Sequence, residues 1–127
     1  MQAFDTSFPT TQYNKVQTGA ALDKGTVSGG TVNFDLVDGS NQKLTVGGNL
    51  TVGFTGWPKS GTYGEIEVEL VNGGAHTITW RTVHWLKGDG TNSTTFSDMG
   101  VTLASSGTNV VIVWTNDGGA TVYGSAA

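Results

Sequence analysis

The chain has 127 residues, 20 of them glycine, with two prolines, no cysteine and a net charge of −4 from ten acidic and six basic side chains. That length implies one domain, and the lack of cysteine excludes disulfides, thiolate metal sites and a cysteine nucleophile. Charged residues are only 13% of the chain and the basic ones are scattered, which argues against the clustered positive field that nucleic acid requires.

Residues 1–25 show no sustained period, and two readings fit them. One is a loosely packed terminus; the other is an extended arm anchored on another subunit by the spaced aromatics Phe4, Phe8 and Tyr13. Met1–Asp5 lacks the basic and apolar regions of a secretory leader.

From Thr26 the pattern becomes short alternating runs. Val32, Phe34 and Leu36 alternate up to a turn at Asp38–Asn41. Leu44 and Val46 lead through Gly47-Gly48-Asn49 into Leu50, Val52 and Phe54, and Gly56–Gly61 breaks the strand. Ile66, Val68 and Leu70 face one way while Glu65, Glu67 and Glu69 face the other. Asn72-Gly73-Gly74 reads as a hairpin signal into His76, Ile78 and Trp80, and Val83 and Trp85 continue that phase.

A polar loop over Lys87–Thr95 and a short run at Val101 and Leu103 follow. Val110–Trp114 reads as a strand buried on both faces, too short to span a membrane, and Asp117-Gly118-Gly119 turns it into Thr121–Tyr123. The pattern predicts an all-β chain, an antiparallel sandwich of jelly-roll type with about eight strands over 26–127 and an extended arm over 1–25. No window supports a helix.

The glutamate row places three carboxylates about 7 Å apart on one strand face. It fits a solvated face with cross-strand partners such as Arg81 or Lys59, an inter-subunit salt-bridge row, or a cation or glycosidase site. The two histidines, His76 and His84, lack metal-motif spacing, and no nucleophile elbow or phosphate loop is present. No catalytic residue, metal or cofactor is therefore expected. Trp80 and Trp114 sit in apolar runs and read as core, whereas Trp57 beside Pro58 and Trp85 at a strand end read as exposed ligand or interface aromatics.

The run Ile66–Leu70, then Gly73-Gly74-Ala75-His76-Thr77-Ile78-Thr79-Trp80, Val83-His84-Trp85, Val110–Trp114 and Asp117–Gly124, resembles a β-module of tailed-phage virion proteins. The likeness covers about 42–125, with Leu44-Thr45-Val46 and Leu50-Thr51-Val52 similar to its entry strands. The family's Pro-rich loop after the second tryptophan is replaced here by Leu86–Gly90. The resemblance implies a virion structural protein, usually a homotrimer, found in tail fibres, head fibres or capsid decoration. Neither heptads nor β-helix repeats of a fibre shaft are read in the sequence, so a capsid decoration (cement) protein is expected, made in the host cytoplasm and seated on the head. Its partners would be itself and the major capsid protein, with no nucleic acid and no membrane. Phe4, Phe8 and Tyr13 would anchor the arm, with Phe34 and Trp57 lining the base. The alternative is a fibre module recognising a host glycan through Trp57 and Trp85.

Overall fold

The computed structural model describes residues 21–127. Their first half winds as three stacked coils. β1 (Ala21–Val27) leads to β2 (Thr31–Asp35), β3 (Asn41–Val46) to β4 (Leu50–Thr55), and β5 (Gly64–Val71) to β6 (Ile78–Trp80). The first strand of each coil joins one sheet and the second strand the other, and like strands pair in parallel. Ala21 aligns with Asn41 and Thr31 with Thr51, so the first two coils are offset by 20 residues.

Glycine makes the coiling possible. Gly29-Gly30, Gly47-Gly48 and Gly73-Gly74 lie between the two strands of successive coils. A Cβ on Gly48 would run into the carbonyl oxygen of Ser28 in the coil above, so only glycine lets the corners approach this closely. The third corner starts at Asn72, the one non-glycine residue with positive φ among the described residues (59°), and continues through a 3-10 turn over Gly73–Ala75.

The second half of the chain extends the first sheet. β9 (Thr108–Thr115) pairs antiparallel with β5, β10 (Tyr123–Ala126) antiparallel with β9, β7 (His84–Leu86) parallel with β10, and β8 (Asn92–Ser93) antiparallel with β7. The result is a seven-stranded sheet, β1-β3-β5-β9-β10-β7-β8, and a three-stranded sheet, β2-β4-β6. One core cluster draws on both, with Leu44, Ile66, Leu70, Val111 and Val113 from the larger sheet and Val32, Phe34 and Val52 from the smaller.

The all-β class agrees with the sequence, and the described residues contain no α-helix. The pairing differs from expectation. Ten strands are present among the described residues rather than about eight, and five of their eight pairings are parallel. A period of two is the same in parallel and antiparallel strands, so alternation cannot tell a hairpin from a coil. The sequence does carry a repeat that marks the coils, Thr31-Val32-Asn33-Phe34 against Thr51-Val52-Gly53-Phe54, each preceded by a glycine corner. The expectation that no β-helical repeat exists is corrected by it. Residues 21–25, expected in the arm, belong to β1, which pairs with β3. Val101 and Leu103, expected as a strand, lie in irregular chain.

Candidate functional site

Coiling brings aromatic side chains into a ladder. Phe34 and Phe54 are register partners with ring centroids 5.7 Å apart. Phe54 stacks on Trp80 at 6.3 Å and Trp80 on Phe96 at 5.3 Å, with interplanar angles of 3° and 9°. Trp85 meets Trp80 and Phe96 edge-on at 5.2 and 4.8 Å, the arrangement that ring quadrupoles favour. Lys24 Nζ lies 5.6 Å from the Phe34 ring centre at the first-coil end of the ladder.

Beyond β6 the ladder borders an open groove of about 650 Å³. Trp80 and Phe96 contribute its aromatic wall, His76 and Leu103 lie elsewhere on its lining, and Thr79 and Thr95 supply hydroxyls. Phe54 and Phe96 both stack on Trp80, and the half-buried Phe96 lines the groove beside it. A second shallow hollow of about 450 Å³ runs along the smaller sheet, where Thr31, Thr51 and Thr79 form one register row.

The outward face of the larger sheet carries a different arrangement. Val110, Ile112 and Trp114 alternate along β9 with the buried Val111, Val113 and Thr115, yet they are only half-buried. Continuous apolar sequence predicted burial on both sides; the described residues wholly bury only one. Glu65, Glu67 and Glu69 stand directly beside Trp114, Ile112 and Val110 on β5. On the other flank, Tyr123 and Ser125 of β10 stand beside Trp114 and Ile112, and Tyr123 stacks on Trp114 at 6.3 Å. His84 is the register partner of Tyr123, its Nδ1 3.3 Å from Asn92 Oδ1.

The glutamates keep their expected outward phase. Lys43 is the register partner of Glu69, while Arg81, an expected partner, lies instead against Gly53 of the smaller sheet. The Tyr63 hydroxyl donates to Glu65 Oε1 at 2.8 Å. Burial, that hydrogen bond and the nearby carboxylate together push the Tyr63 phenol up to about 12.

Several expected site residues sit elsewhere. Phe34 is wholly buried inside the ladder, so it lines the core and not an exposed base. Trp85 is also wholly buried, packed on Gly124, because β7 is an internal strand of the larger sheet. Trp80 and Trp114, the two expected as core, are only half-buried. Trp57 is half-buried, its indole pressed against Gly119, where any Cβ would collide with the ring. Phe4, Phe8 and Tyr13 lie outside the described residues.

Two carboxylates are tuned by their own loops. The Thr91 hydroxyl and amide hold Asp89 below the usual carboxylate value. The Thr121 amide, followed by the Thr115 hydroxyl, does the same for Asp117. Among the described residues, no group of three or more histidine or acidic side chains is arranged to hold a metal ion, and no helix is long and apolar enough to cross a membrane. Comparison with known proteins finds no matching family model, no matching curated protein and no matching solved structure.

Proposed function

We propose that this chain is a structural protein of a tailed-phage virion, a capsid decoration protein that binds the head surface and stabilises it by bridging capsomers. The supporting observation is the outward face of β9, where Val110, Ile112 and Trp114 form an apolar column that the described fold leaves half-exposed. An apolar sheet face of this kind marks an interaction surface. The hydroxyl-rich outer row of the smaller sheet suits lattice contacts as well, because no charge there needs a buried partner. In this reading the protein works by interfacial burial, repeated by capsid symmetry, and performs no catalytic step.

The test is addition of the purified chain to undecorated heads of the phage that encodes it. Saturable, symmetric occupancy of the head and a higher temperature of DNA release are expected; adsorption to host cells without head binding overturns the reading. Removal of residues 2–20 tests the proposed arm separately, and unchanged head affinity would end that part.

A second reading, a fibre module for a host surface glycan, draws on the groove beside Phe96 and His76. It expects an oligosaccharide to perturb Trp80 fluorescence and Phe96→Ala to abolish adsorption while leaving head stability unchanged.

A further inference from the structure

We infer that the outward face of the seven-stranded sheet is a two-fold interface between copies of this chain, with β9 packed on β9 of the second copy. The inference stands on the sheet face and does not depend on the capsid reading.

The register makes the face self-complementary. On one level lie Glu65, Trp114 and Tyr123, and on the next Glu67, Ile112 and Ser125, always in the order β5, β9, β10. A two-fold axis in the interface plane and parallel to β9 lays the apolar column on its own copy. It also carries β5 of one copy onto β10 of the other at the same level. Glu65 then faces the Tyr123 phenol of the second copy, and Glu67 faces the Ser125 hydroxyl. Glu65 and Glu67 each meet a hydroxyl donor rather than another carboxylate, while Glu69, level with Val110, falls opposite Ala127. An axis across the strands would set glutamate on glutamate, which like-charge repulsion disfavours. Such an isologous contact closes at two copies.

The extent of the face agrees. Five strands, β3, β5, β9, β10 and β7, spaced about 4.8 Å and averaging about 19 Å in length, project roughly 450 Å² before side-chain relief is counted. Accessible area exceeds projected area, so this is the order of the ~800 Å² per partner in stable two-chain contacts. Leu86, an exposed apolar side chain 40% accessible, lies on β7, beside β10 in the same sheet.

The experiment is sedimentation equilibrium of the full chain from 1 to about 100 μM, where twice the 13.2 kDa chain mass is expected. Ile112→Asp should shift it to monomer with unchanged circular dichroism. Should that variant misfold, the exposed Ser125→Asp, which sets a carboxylate opposite Glu67 of the second copy, should weaken association at least tenfold. Adding Glu67→Lys to Ser125→Asp should restore it, because the new pair forms only between copies: β5 and β10 lie on opposite sides of β9. Val37→Asp, at a side chain 82% exposed on the 3-10 turn over Leu36–Asp38, should leave the mass unchanged. A trimer overturns the two-fold arrangement, as does a dimer indifferent to Ser125→Asp. A monomer at every concentration overturns it too, including one whose Trp114 is shielded from quencher by residues 1–20.

Discussion

Trp80 lies parallel to Phe54 across the last two coils, with ring centroids 6.3 Å apart and an interplanar angle of 3°. The two residues are 26 positions apart in sequence and meet only because β6 stacks on β4. Trp80 also stacks on Phe96, so one indole joins the coils to the chain that follows β8.

Trp80→Ala should therefore cost about 2–4 kcal/mol, somewhat below a fully buried aromatic truncation because the ring is only half-buried. Urea unfolding reads this as a lower midpoint at unchanged slope. Trp80→Phe should recover more than half of the loss.

Gln42 is a polar side chain with no exposure, and its Nε2 donates to the carbonyls of Asp35 and Gly39 at 2.8 and 2.9 Å. It ties the turn between the first two coils to the interior of the second. Gln42→Leu conserves bulk but strands two carbonyls, and a loss of about 2–3 kcal/mol is expected in the same unfolding assay. Hydrogen exchange of the turn at residues 36–40 should accelerate in step.

Gly48→Ala tests the coil corner. The added methyl must displace the Ser28 backbone, so a loss of about 1–3 kcal/mol is expected. Gly88→Ala, where a Cβ meets open space, should change stability by less than about 0.5 kcal/mol. Equal effects of the two substitutions would contradict the stacking of coils at this corner.

The Thr115 hydroxyl is buried at the β9–β10 hairpin, where it lies 2.7 Å from both Asp117 Oδ1 and the Thr121 carbonyl and accepts from the Gly119 amide at 3.1 Å. With one hydrogen it donates to one of those two oxygens at a time. Thr115→Val should cost about 1–3 kcal/mol. Asp117 has a lowered pKa in the folded chain, so its contribution is complete above the ordinary carboxylate value of 3.8 and disappears as pH falls toward the folded value. Asp117→Asn should accordingly flatten the loss of thermal stability that the parent shows as pH falls below the ordinary carboxylate value of 3.8.

Tyr63 acts at the other end of the pH scale. Its pKa is raised from 10.0 to about 12, so the stabilisation it provides is full below pH 10 and is lost as pH rises through 12. Phenolate absorbance at 295 nm should show a component near 12 that Tyr63→Phe removes. Glu65→Gln, which takes away the charged acceptor, should bring that component down toward 10.

Much of the local pattern was legible in the chain itself. Ile66, Val68 and Leu70 turn inward and the three glutamates outward because a strand alternates its faces whatever lies beside it. Asp117-Gly118-Gly119 joins neighbouring antiparallel strands because its two glycines supply positive φ of 72° and 90°. By contrast, Gly47-Gly48 and Gly73-Gly74 use similar residues to cross between sheets, and local turn chemistry does not distinguish the two outcomes.

The sequence by itself determined that this protein is all-β, short of charge, free of cysteine chemistry and alternating in its strands, since these follow from residue type and a period of two. Only the tertiary structure decided that the coils stack in parallel, that Phe34 and Trp85 are enclosed and that, among the described residues, the outward side of β9 is only half-buried. Burial depends on what lies above and below each strand. Those neighbours are 20 or more residues away in the chain, beyond the reach of any local pattern.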